Sequence, residues 1–131
     1  MILNVVAAVM IADGKIFVAQ RHRSHSQGGL WEFPGGKVEP GETAEIALER
    51  ELQEELSINV TVTEYLATSV HQYPDKTVKL HGYLCQWHGD QIELTGSHEQ
   101  YRWLAPQQVD RTTLAPADLP LLDALINMLN S

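Results

Sequence analysis

The chain has 131 residues, 44% of them hydrophobic, with a single cysteine and a formal net charge of -8. This is the size of one domain, residues 1–131, with enough apolar residues for a core. One cysteine excludes an internal disulfide, and the acidity argues against nucleic-acid polymers as partners.

The apolar start, Met1 to Ala12, lacks a basic leader and is cut by Asp13-Gly14, which argues against a signal peptide or a membrane span. Cys85 suits a reducing compartment, so a cytoplasmic location is expected. Val5 to Ile11 reads as a buried strand, Asp13-Gly14 as a hairpin turn and Ile16 to Gln20 as the returning strand. Arg21 to Gly29 is polar and without a period, and Leu30 to Phe33 is a short strand. Gly35 to Glu42 reads as a turn-rich loop, punctuated by Gly35-Gly36 and Pro40-Gly41.

A helix is predicted from Thr43. Thr43 is a natural N-cap, Glu45 suits the first turn, and the interior is Ala, Leu, Glu and Arg. Ala44, Leu48, Leu52 and Leu56 form one apolar stripe. Glu51, Glu54 and Glu55 stand at i, i+3 and i+4, so their carboxylates share an adjoining face, with the small Ala44 and Ala47 close by. After the helix, Asn59 to Tyr73 and Val78 to Trp87 read as two arms turned by Pro74-Asp75-Lys76. Glu99 to Leu104 is a further strand and Pro106 to Val109 a short helix. Asp118 to Leu129 closes the chain as an amphipathic helix with Leu122, Ile126 and Leu129 on one side. The six histidines show no paired metal spacing and read as structural or solvated.

Three carboxylates on one helix face either form a solvated acidic surface or hold a hard cation. Mg²⁺ or Mn²⁺ takes oxygen ligands, keeps waters and is completed by substrate phosphates. The glycine loop ahead of the helix favours the cation, because a backbone without Cβ approaches a metal-phosphate cluster closely. The cation also reconciles an acidic protein with an anionic substrate.

Gly36, Glu42 and the run Arg50-Glu51-Leu52-Gln53-Glu54-Glu55-Leu56-Ser57-Ile58 closely resemble the Nudix box, G-x5-E-x7-R-E-U-x-E-E-x-G-U, with U aliphatic. Ser57 departs, standing where the pattern has Gly after the helix, a position that favours a left-handed residue. The resemblance implies the Nudix fold, an α+β arrangement in which a mixed sheet lies between helices as an α/β/α sandwich. It also implies a Mg²⁺-dependent hydrolase of nucleoside triphosphates of the MutT kind, acting on oxidised or modified triphosphates such as 8-oxo-dGTP to sanitise the nucleotide pool and releasing a monophosphate and pyrophosphate. In that reading Gly35, Glu51, Glu54 and Glu55 serve the metal, and Arg50 and Glu42 stand behind them. The general base lies among Glu51, Glu54 and Glu99.

Most of the remaining candidates, Lys37 of the glycine loop excepted, admit more than one reading. Arg21 is a solvated arginine at a strand end or, by resemblance to MutT-like chains, faces the substrate. Lys37 reads as a phosphate contact. Glu99 is an inert loop residue or, ahead of Trp103, the further metal-site carboxylate of MutT-like proteins. Phe33 is core, base pocket, or both. Asp118 is an N-cap, or it occupies the place where MutT-like chains carry a base-reading Asn; its surroundings, Leu114 to Leu122, also resemble enzymes acting on cytidine nucleotides. Hydrolysis of ADP-ribose or dinucleoside polyphosphates, for which Pro74 speaks weakly, and a non-catalytic Nudix-fold module are the competing classes. The intact carboxylates argue against the module, and a monomer is expected.

Overall fold

The computed structural model describes residues 1–25 and 27–131. Seven strands form the mixed sheet: β1 (Ile2–Ala12), β2 (Lys15–Arg21), β3 (Trp31–Glu32), β4 (Gly35–Lys37), β5 (Val60–Tyr73), β6 (Lys76–Trp87) and β7 (His98–Leu104). Two helices accompany them, α1 (Ala44–Leu56) and α2 (Leu119–Leu129), with short 3₁₀ turns at Pro106–Gln108 and Pro116–Asp118. No helix among the described residues is long and apolar enough to cross a membrane.

β1 is the organising strand. It runs parallel to β6 from Ile2 to Met10, antiparallel to β4 at Val5 to Ala7, and turns into β2 at Ala12. A strand buried on both faces reads as a continuous apolar run, and Val6 to Met10 is one. Its alternation divides the core in two. Val6, Ala8 and Met10 meet Leu48, Leu52 and Leu56 of α1, while Ala7 and Val9 meet Leu121, Leu122 and Leu125 of α2. The sheet therefore lies between the helices, as the sandwich reading requires.

Three expectations are corrected. Gly35 to Lys37 is a strand rather than part of a turn, because both glycines are needed for close approach: a Cβ on Gly35 would overlap the Val6 carbonyl, and one on Gly36 would overlap the Glu51 carboxyl. Ala47 is fully buried in the α1-side core rather than on the carboxylate face, whereas Ala44 is only half-buried. Leu129 is 48% exposed and drops out of the apolar side of α2, which is made by the expected Leu122 with Leu121 and Leu125, and with Ile126 packed partly buried against them.

Both ends of α1 are held. Thr43 Oγ1 accepts the Ile46 N–H at 3.2 Å, as an N-cap should. At the other end Ser57 takes the left-handed conformation (φ 58°, ψ 35°) and its N–H reaches the Gln53 carbonyl at 3.1 Å. The Thr95 hydroxyl donates to the carbonyls of Glu54 and Glu55, which fixes the turn that carries two of the carboxylates.

Candidate active site

Arg50 gathers the acidic residues of the loop and helix. Its guanidinium donates to Glu42 at 2.8 and 2.9 Å, to Glu51 at 2.9 Å, to Glu54 at 3.3 Å and to the Lys37 carbonyl at 3.0 Å. One planar fork thereby ties β4, the loop and α1 together. Its bond holds the Glu42 carboxyl below the usual carboxylate range, helped by the Glu39 N–H. Glu51 lies against Gly36, and its side chain is 15% exposed, compared with 59% for Glu54.

Glu55 is the buried member. Burial, then the charges of Glu51 and Glu32, push its carboxyl well above the ordinary range. Its Oε2 faces His98 Nδ1 at 3.6 Å, and neither atom has a hydrogen-bond partner among the described residues. His98 Nε2 lies 3.0 Å from Glu32 Oε2, which also meets Arg21 Nη1 at 3.5 Å. Glu32 and His98 were not legible as site residues in the sequence. The available signal was strand alternation: of His98 and Glu99, only one can face inward. The inward residue is His98. Glu99 turns to Arg23, receiving its Nε–H at 3.0 Å and its backbone N–H at 3.1 Å, and these bonds lower its pKa.

Glu32 also lines a cleft of about 180 Å³, together with Arg21, Tyr73, Lys76, Val78, Leu80 and Asp118. Asp118 is the first residue before α2 but does not cap it. Its Oδ2 instead accepts the Phe33 N–H at 2.8 Å. Burial, then the Glu32 charge, raise its pKa, against the opposing pull of that N–H. Phe33 is 3% exposed and packs in the α2-side core; it does not line the cleft itself, and its N–H is bonded to Asp118, which does. Lys37 is exposed at the end of β4.

Among the described residues no three His, Cys, Asp or Glu side chains already enclose one point as a finished metal cage. A Mg²⁺-type ion needs only one or two carboxylates when phosphates and waters complete its shell. Glu55 Oε2, without a hydrogen-bond partner among the described residues, and the charges of Glu51 and Glu32 close to it form an oxygen-rich set that a hard cation would relieve. The residues fit such an ion.

A family model for the NUDIX domain matches residues 2–125. The CTP pyrophosphohydrolase of Escherichia coli (strain K12) is 43% identical over 127 residues, covering 95% of this chain and 91% of that protein. The 8-oxo-dGTP diphosphatase of Proteus vulgaris is 45% identical over 95 residues, covering 70% of this chain and 85% of that protein. A crystal structure of a MutT Nudix hydrolase from Burkholderia pseudomallei superimposes with a TM-score of 0.86 at 26% identity, covering 95% of this chain and 98% of that one. The chain belongs to the Nudix hydrolase family, among its MutT-like members.

Proposed function

We propose that this protein is a Mg²⁺-dependent nucleoside triphosphate pyrophosphohydrolase that converts nucleoside or deoxynucleoside triphosphates to the monophosphate and pyrophosphate, clearing unwanted nucleotides from the pool. The observation that carries this reading is the continuity from the α1 carboxylates, through His98 and Glu32, to a cleft with Arg21 and Lys76 among its charged residues and Val5, Val78 and Leu80 on its apolar wall. Such a cleft suits an anionic substrate that carries a flat base.

Glu51, Glu54 and Glu55, with the Gly35 carbonyl, would hold the cation, and Mn²⁺ would serve in place of Mg²⁺. Once bound, the cation neutralises phosphate charge and makes water more acidic. Glu54, the most exposed of the three carboxylates, is open to take the proton of the attacking water. Arg50 orients Glu51 and Glu54, and Glu42 orients Arg50. Arg21 and Lys37 offer positive charge to the phosphates. Glu99 is engaged by Arg23, which leaves the α1 carboxylates as the primary set.

Cytidine nucleotides are the first reading for the base. The CTP pyrophosphohydrolase aligns over 95% of this chain, and Asp118 lines the cleft. A carboxyl that keeps its proton presents a donor and an acceptor side by side, which suits N3 and the N4 amino group of cytosine. The same pair suits O6 and N7–H of 8-oxoguanine, and the diphosphatase relative favours that second reading. Pyrophosphate and monophosphate release should be measured over canonical, oxidised and methylated triphosphates, with ADP-ribose and a dinucleoside tetraphosphate included. The reading requires pyrophosphate from a triphosphate and its loss on chelation. Turnover of ADP-ribose or the dinucleotide alone, or of nothing, overturns it.

A further inference from the structure

His98 is buried, and each of its ring nitrogens faces a carboxylate on a different element. β7 pairs antiparallel with β2 and places His98 opposite Arg21. On one side of the ring stands Glu55 of α1, 3.6 Å from Nδ1; on the other stands Glu32 of β3, 3.0 Å from Nε2. Glu32 continues to Arg21 at 3.5 Å, and both line the cleft. Space-filling does not call for this arrangement. A buried polar ring without full hydrogen bonding costs stability, and an apolar side chain would fill the same volume without that cost.

We propose that His98 is a positioning residue that sets two carboxylates at once: Glu55 through Nδ1 on the side of the cation, and Glu32, with Arg21, through Nε2 on the side of the nucleotide cleft. This deepens the pyrophosphohydrolase reading and rests on it. His98 does not itself touch substrate. Its work is to keep the helix carboxylates and the cleft in one geometry, as outer residues of metal sites do for the ligands they contact.

Asn and Gln separate the two contacts, because the Asn amide falls near the place of Nδ1 and the Gln amide near that of Nε2. Mn²⁺ affinity is read by electron paramagnetic resonance on the protein without nucleotide, and kcat and KM are read separately with CTP. His98→Asn should keep Mn²⁺ affinity within about twofold and raise KM about tenfold. His98→Gln should weaken Mn²⁺ binding about tenfold with a smaller change in KM, and His98→Leu should show both losses. If the Asn and Gln variants lower the melting temperature alike but leave Mn²⁺ affinity and KM at wild-type values, His98 only fills the core and the proposal fails. The wild type separates the two levels: its failure to release pyrophosphate from any triphosphate counts against the proposed function, whereas the pattern among the variants bears on His98.

Discussion

Asp118 Oδ2 accepts the Phe33 N–H at 2.8 Å, a bond between residues far apart in sequence that joins the start of α2 to the end of β3. The folded state raises the pKa of this acid above its ordinary 3.8, so it binds the proton more tightly folded than unfolded. Stability should therefore fall as pH rises from about 4 until the raised pKa is passed. Asp118→Asn keeps an acceptor for Phe33 and removes the titration, so its melting temperature should gain on the wild type as pH rises through that window. Parallel melting curves against pH would contradict the assignment.

Asp118→Ala, by contrast, leaves the buried Phe33 N–H without a partner. The cost should be about 1–3 kcal/mol, visible in denaturant unfolding at a pH where the Asn variant is near wild type. Equal stability of the Ala and Asn variants would mean that the Phe33 bond contributes nothing.

Arg50 touches Glu42, Glu51, Glu54 and the Lys37 carbonyl, and it does not line the cleft. Arg50→Ala should lower turnover by about 10- to 100-fold and leave the ranking of bases unchanged. Steady-state kinetics on two triphosphates test this. A changed ranking would place Arg50 at the base and refute its orienting role.

Ser57 carries a side chain at φ 58°, in the left-handed region that glycine enters without penalty. Ser57→Gly should stabilise the fold by about 1 kcal/mol and raise the melting temperature by a few degrees, with turnover unchanged. A lower melting temperature would show that the Ser57 side chain makes a contact worth more than the strain.

The sequence made α1 legible because its cap, its leucine stripe and its three carboxylates all follow one helical period. β1 was legible for a similar reason: a run of apolar residues buried on both faces has few alternatives. β4 was hidden because Gly35-Gly36 is a strong turn signal, and the need for close approach to Val6 and Glu51 exists only in three dimensions. His98 and Glu32 were hidden for the same kind of reason. They lie 66 residues apart, and nothing local says which of two neighbouring residues on β7 faces the helix. Asp118 had every local mark of a cap, yet a distant N–H took its carboxylate.

If the carboxylates of α1 drive triphosphate hydrolysis, Glu54→Gln should show it most directly. Glu54 is 59% exposed, so its loss should leave the melting temperature within a few degrees of wild type. Pyrophosphate release from CTP in saturating Mg²⁺, measured alongside that melting temperature, should fall at least about 100-fold. Near-wild-type release from a folded Glu54→Gln protein would contradict the account.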